Sequence, residues 1–340
     1  MPPEIPGNSD QTVIPNGSEA GVPSCARHDV FTDSDHLSAA VRHADLELVQ
    51  QGCGRFRGDL SLAALGGTTV QFIHLNQKSI SRAANAPDRL AVLIQLGGSQ
   101  ACLWNGYASQ GSSIITYGPG HEHFGAEPRE FACAFISIPL KRMELLLERC
   151  HGAVLGQLRS GCHQLQVPAI QFFEIEKRLV QVQALIESKP ALLDCAAVQQ
   201  MFQHSLEESL LAIIYRAAGH LLDQDSKDRQ SNGRMIRRTE EFLESHPDQP
   251  VHLIQLCSAI GVSPGLLRLA FRKLLNVDPK RYLLLYRLHR ARTTLLSSHP
   301  SQTSVELVAR KWGFWSRLQF EAEYRWTFAE PPSRTLARTR

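Results

Sequence analysis

Two stretches in the last third of the chain repeat one pattern. In the first, Leu253, Leu256, Cys257 and Ile260 recur at helical spacing, Gly261 breaks the run, and Leu267, Ala270, Phe271 and Leu274 resume it. In the second, Val305, Val308, Ala309 and Trp312 form the stripe, Gly313 interrupts it, and Phe320, Tyr324 and Phe328 follow. The glycines stand about 50 residues apart, which marks one duplicated supersecondary unit. Each copy reads as two short amphipathic helices around a tight turn. Ser263 stands where an N-cap is wanted, Asn276 where a left-handed C-cap is wanted, and Pro279 opens a longer helix with Leu284, Leu288, Ala291 and Leu295 on one face. Two such units joined by one helix can enter successive major grooves of DNA if they lie roughly 34 Å apart.

Charge agrees with that placement. From Met235 onward there are about 17 Lys and Arg against about 9 Asp and Glu, so this part is roughly +8 and the remainder roughly −5, within a chain of net charge +3. A basic C-terminal domain suits a polyanion.

The rest of the 340 residues divides by period. Residues 1–24, rich in Pro, Gly, Ser and Asn, read as a disordered tail. Residues 25–139 carry short apolar runs ("TTVQFIHL", "RLAVLIQL", "FACAFISI") punctuated by glycine, with Asn105-Gly106 as a hairpin turn. They predict an antiparallel barrel or sandwich. Residues 140–222 switch to helical periodicity, and 223–234, "DQDSKDRQSNGR", is polar enough to read as a linker before a domain at 235–340. The expected class is α+β. No run of eighteen apolar residues suggests a membrane span, no basic start with an apolar stretch suggests a secretory signal, and the eight cysteines form no C-x-x-C pair. A reduced, cytoplasmic protein is expected, away from membranes. P-loop, G-x-S-x-G and H-E-x-x-H motifs are missing, so no enzyme activity and no cofactor are expected.

The stretch "LCSAIGVSPGLLRLAFRKLLNVDPKRYLLLYRLHRARTTLL", followed by "SVELVARKWGFWSRLQFEAEYRWTFAEPPSRTL", resembles the DNA-binding domain of the AraC/XylS family of bacterial transcription regulators. The resemblance runs from His252 to Leu336, and "WGFW" through "TL" is similar to the branch that includes the ethanolamine-operon regulator. It implies a cupin-like sensing barrel, a helical region that dimerises, and a C-terminal pair of helix-turn-helix units. It also implies a homodimer that binds double-stranded DNA, answers a small-molecule effector and activates transcription, with RNA polymerase as a possible partner. The positions matching the family's base readers are Gly265, Arg268 and Leu269 in the first unit, with Arg317 and Gln319 in the second. Of these Arg268 can bridge guanine O6 and N7, Gln319 suits adenine, and Leu269 offers only apolar contact. Arg272, Lys273, Lys280 and Arg325 are the expected phosphate contacts. Ala322 stands where many members carry Arg, flanked by Glu321 and Glu323, so the first unit is expected to carry more of the binding. The aromatic cluster Trp312, Phe314, Trp315, Phe320, Tyr324, Trp326 and Phe328 is expected in the core.

For the barrel, His74 and Trp104 on strands, with His121 and His123 at the rim, are the candidate effector pocket; Arg55, Gln71 and Gln95 are further candidate lining residues. "GPGHEHFGAE" leaves a rival open, because His121, His123 and Glu127, with or without His74, have the spacing of a metal-binding cupin enzyme. An architectural DNA-binding protein without an effector is the other rival. The expectation is that His121 and His123 border an effector pocket and bind no metal.

Overall fold

The computed structural model of the protein describes residues 25–97, 100–109, 112–147, 152–217, 226–246 and 249–338. The expected tail at 1–24 and the start of the expected linker at 223–225 lie outside them. The chain begins with β1 (Ala26–Phe31), α1 (Ser34–Ala40) and β2 (Ala44–Gln50). Nine strands follow: β3 (Gly58–Leu65), β4 (Thr68–Leu75), β5 (Ser79–Asn85), β6 (Arg89–Gln95), β7 (Cys102–Trp104), β8 (Tyr107–Ser109), β9 (Ser113–Tyr117), β10 (Glu122–Glu127) and β11 (Phe131–Pro139). Then come α2 (Leu140–Leu147), α3 (Gly152–Arg159), β12 (Cys162–Gln166), α4 (Ala169–Ser188) and α5 (Ala196–Ala217).

Every described strand pair is antiparallel. A seven-stranded sheet runs β1-β3-β4-β11-β6-β9-β12 and a five-stranded sheet β2-β5-β10-β7-β8. The larger sheet buries both faces. Val70, Phe72 and Ile136 pack on Leu179 and Val182 of α4 and Leu206 and Leu210 of α5. Leu75, Ala91, Ile115 and Phe135 turn inward toward the smaller sheet. The expected antiparallel barrel is present. The purely helical reading of 140–222 is corrected by β12, which joins the sheet edge through β9; "CHQLQ" is too short to show a period.

The C-terminal part is helical: α6 (Ser226–Glu244), α7 (Leu253–Ile260), α8 (Pro264–Leu275), α9 (Pro279–Ser297), α10 (Val305–Lys311), α11 (Arg317–Phe328) and α12 (Pro332–Leu336). The described part of the expected linker, 226–234, is the first half of α6. Its buried stripe starts with a polar residue, Asn232, and runs through Ile236, Thr239, Glu240 and Leu243, so little apolar signal marks it in the sequence. Helix α6 and α8 together cover the outer face of the five-stranded sheet, where Val49, Ile80 and Phe124 meet Ile236 and Leu274. Among the described residues no single helix is long and apolar enough to cross a membrane.

Candidate functional site

The two helix pairs are set by local chemistry. Gly261 takes the left-handed conformation, φ 70°, that ends α7. Ser263 then accepts from the Leu266 amide and starts α8, bent 96° from α7. Asn276 closes α8 at φ 47°, and Asp278 caps α9 through the Lys280 amide. In the second pair Ser304 and Ser316 cap α10 and α11. Gly313, at φ 72°, also lies so close to Pro250 that a Cβ would collide with that ring. Each serine cap contributes about 1 kcal/mol.

The start of α8 is a solvent-facing surface. Gly265 and Leu269 are exposed, while Leu267, Ala270 and Phe271 face the core. Arg268 is half-exposed and donates through Nε to Asp278 Oδ2 at 3.2 Å. That bond does not consume the two terminal nitrogens of its fork. Arg272, Lys273, Lys280 and Arg325 are all exposed. On α11, Arg317 and Gln319 are exposed, and Arg317 is paired with Glu321 at 2.8 Å. Glu323 is paired with Arg281 of α9 at 2.9 Å.

The aromatic cluster splits. Trp312, Phe314, Phe320, Tyr324 and Phe328 form the core of the second pair. Trp315 and Trp326 do not, which corrects the expectation for both: Trp315 is 85% exposed, and Trp326 stacks under the Arg281 guanidinium at 4.9 Å. Leu318, at 82% exposure, stands between Arg317 and Gln319. Trp315 and Leu318 thus belong to the exposed start of α11. The signal was their place beside the Ser316 cap, on the side opposite Phe320.

Inside the barrel lies a cavity of about 70 Å³, walled mostly by apolar and aromatic side chains, Leu48, Leu75, Trp104, Phe131 and Phe135 among them. Trp104, His121 and His123 line it. His74 does not. It is on the outer face, 3.3 Å from Asp59 and 3.6 Å from Glu130, because its neighbours Ile73 and Leu75 take the inward positions. Gln71 is buried elsewhere, exchanging hydrogen bonds with the Arg42 backbone; Gln95 bonds the Gln100 carbonyl; Arg55 is exposed. His123 lies within the cavity wall, where it is buried, and His121, half-buried, keeps the rim position.

Three residues that sequence reasoning did not join complete the polar wall. Tyr117 Oη lies 2.7 Å from His123 Nδ1, Ser81 Oγ lies 2.9 Å from His123 Nε2, and Ser81 donates to Glu127 Oε1 at 2.5 Å. One assignment accounts for all three contacts: Tyr117 donates to Nδ1, Nε2–H donates to Ser81, and Ser81 donates to Glu127. Burial pushes the His123 pKa down to about 3, so the ring is neutral. Burial pushes Glu127 up to about 7, with Ser81 and the Trp104 indole pulling it down. The indole nevertheless makes no hydrogen bond to Oε2, which has no partner. Both nitrogens of His123 are spent within the chain, and no three His, Cys, Asp or Glu side chains converge as metal ligands do among the described residues.

The same strands face the helical domain with their alternate residues. Beside Ser81, Arg82 reaches outward to Glu240 at 2.8 Å and Glu244 at 3.0 Å on α6. Beside His123, Glu122 faces Arg237 at 3.6 Å and Phe124 packs among the helices. On β2, Gln50 donates to the Thr327 carbonyl of α11 at 2.7 Å.

Comparison with known proteins reaches the C-terminal part. Residues 256–338 match a family described as a helix-turn-helix domain. The chain is 34% identical over 102 residues to a probable thc operon regulatory protein of Rhodococcus erythropolis, covering 30% of this chain and 31% of that one. It is 32% identical over 103 residues to a XylDLEGF operon transcriptional activator of Pseudomonas putida, covering 30% and 31%. The chain thus spans about a third of the length of these relatives. Among solved structures, the AraC-like transcriptional activator CuxR is 12% identical, with 73% of this chain and 86% of that one covered at a TM-score of 0.38. Residues 256–338 are therefore a helix-turn-helix domain similar to those of AraC/XylS-type transcription regulators.

Proposed function

We propose that the protein is a sequence-specific DNA-binding transcription activator that answers a small molecule held in its barrel. The observation that carries this reading is the exposed start of α8, with Gly265, Arg268 and Leu269 beside Arg272 and Lys273, inside a domain similar to those of known operon regulators. Helices α8 and α11 enter successive major grooves. Arg268 reads a guanine, Arg317 and Gln319 read the second site, and Arg272, Lys273, Lys280 and Arg325 hold phosphates. Leu269 and Leu318 present apolar surface to thymine methyl groups.

The shared sheet supports the coupling of cavity to DNA. Strands β5 and β10 line the cavity with one face and hold α6 and α8 with the other, so a ligand that shifts the inner residues acts on the helix contacts. It changes DNA affinity by the difference in its affinity for the two arrangements. A homodimer fits α4, where Ile170, Phe173 and Val180 are exposed opposite the buried Ile175, Leu179 and Val182. That stripe has the spacing of a helix seam. Contact with RNA polymerase follows from the activator reading, and a place in the branch of the ethanolamine-operon regulator rests on the residues from Trp312 to Leu336.

The test is selection of duplexes from a random library by the purified full chain. Convergence on one sequence, bound more weakly at higher salt, is expected. Recovery of unrelated sequences with equal affinity contradicts the reading.

A further inference from the structure

The two helix pairs keep one register except at a single residue. Ser263 and Ser316 each accept from the amide three residues on. Leu267 and Phe320, the next positions along, are fully buried, and Asn276 and Ala329 end α8 and α11 in the left-handed conformation, at φ 47° and 55°. The turns differ. Val262 alone separates Gly261 from Ser263, whereas Phe314 and Trp315 separate Gly313 from Ser316. Phe314 fills the core of the second pair as Val262 packs against that of the first. The indole of Trp315 is therefore the added group, and it is 85% exposed.

The same register shows what α11 presents. The places of Gly265, Arg268 and Leu269 on α8 are taken on α11 by Leu318, Glu321 and Ala322. Leu318 and Ala322 are exposed, and Glu321 is engaged by Arg317 at 2.8 Å. Where α8 offers a guanidinium, α11 offers an occupied carboxylate between two apolar groups. Trp315, three residues before Leu318, extends that apolar side, opposite the buried Phe320 and Tyr324. Arg310, Lys311, Arg317 and Arg325 on α10 and α11 are exposed as well, Arg310 and Arg317 each paired with a glutamate on its own helix. Such exposed pairs hold weakly, so phosphates compete for the cations. The core of a protein interface is depleted of charge, whereas a DNA groove is walled by phosphates, so apolar surface set among cations suits the groove. The apolar feature of the major groove is the C5-methyl of thymine.

We propose that Trp315 is a specificity-determining residue of the second helix pair, and that its indole packs on thymine methyl groups in the window that α11 enters. Leu318 covers a neighbouring methyl, and Arg317 and Gln319 flank the pair. The first window is read through a guanidinium and the second largely through apolar contact, so the two differ in the chemistry they select. This rests on the DNA-reading role proposed above and adds to it the residue that sets the preference of one window.

The experiment measures binding of the full chain to its selected duplex, with the thymines of the second window replaced one at a time by deoxyuridine. That change removes the C5-methyl and keeps the base pair. For wild type, at least one replacement is expected to cost about 4-fold in affinity, the worth of one buried carbon group. W315A is expected to bind the thymine duplex on the order of 10-fold more weakly and to be indifferent to that replacement, since the two changes remove one contact. W315F is expected to keep part of the thymine preference. An exposed side chain leaves the core untouched, so W315A folds as wild type does. A second window without thymine overturns the proposal, as does a deoxyuridine penalty of equal size in wild type and W315A. W315A that binds the duplex as tightly as wild type, yet fails to activate transcription with RNA polymerase, assigns the indole to a protein and also overturns it. Convergence on one duplex with indifference to deoxyuridine sinks this claim alone. Failure to converge on any duplex sinks the DNA-reading role, and this claim with it.

Discussion

Arg268 Nε lies 3.2 Å from Asp278 Oδ2, so the expected base reader of α8 is braced by the residue that caps α9. A braced guanidinium loses less rotamer freedom when it meets a base. R268A is expected to cost about 1–3 kcal/mol of DNA binding and to relax preference at one base pair. D278N keeps a good N-cap and removes the negative charge that faces Arg268. It is expected to retain the fold and weaken specific binding by less than R268A does. Competition binding against single-base variants of the selected site measures both; equal discrimination by R268A and wild type sinks the assignment.

Arg317 and Glu321 form an exposed pair at 2.8 Å on α11. Relieving Arg317 of that partner leaves it free for DNA and removes a carboxylate from the phosphate side. E321Q is expected to tighten binding and to steepen the dependence of log affinity on log salt by about one. No change in slope would show that Arg317 does not approach the DNA.

The buried pair of Glu127 and His123 sets a pH signature. Glu127 is raised to about 7 from 4.5, so the folded state binds the extra proton between these values, and its contribution to stability is lost as pH rises through about 7. His123 is lowered to about 3 from 6.5, so its contribution is lost as pH falls through that range. Tyr117, Cys102 and Cys133, the other titratable groups facing Glu127, are all pushed up by burial and stay neutral there. Denaturant unfolding of wild type and E127Q across pH 4.5–7 isolates Glu127. The wild type is expected to lose about 3 kcal/mol relative to E127Q over that range. A constant difference would mean that Glu127 ionises normally in the folded protein.

Arg82 joins the barrel to α6 through Glu240 and Glu244. R82L removes that tie without touching the cavity face of β5. Hydrogen exchange of α6 is expected to quicken, and the DNA affinity of the variant to stop responding to the cavity ligand. An intact ligand response in R82L would show that the signal takes another route.

The C-terminal helices were legible because their signals are local. Ser263, Gly261, Asn276 and Pro279 each mark a cap or stop within one turn, and the structure places each where the sequence does. The barrel interior was legible only in part. Strand β4 is buried on both sides for most of its length, so its sequence carries no alternation, and His74 could be put inside although it faces out. Glu127 stood out beside two histidines as a metal ligand, yet its partner Ser81 comes from β5, and register sets that contact. Trp315 was assigned to a core by residue type, whereas its place before the Ser316 cap exposes it.

The most direct test of the central claim is a hydroxyl-radical and base-methylation footprint of the full chain on its selected duplex. Two protected major-groove windows about 10 base pairs apart on one face of the DNA are expected, one lost in R268A and the other weakened in R317A. A single window, or protection unchanged by both substitutions, would contradict the claim that α8 and α11 read the DNA.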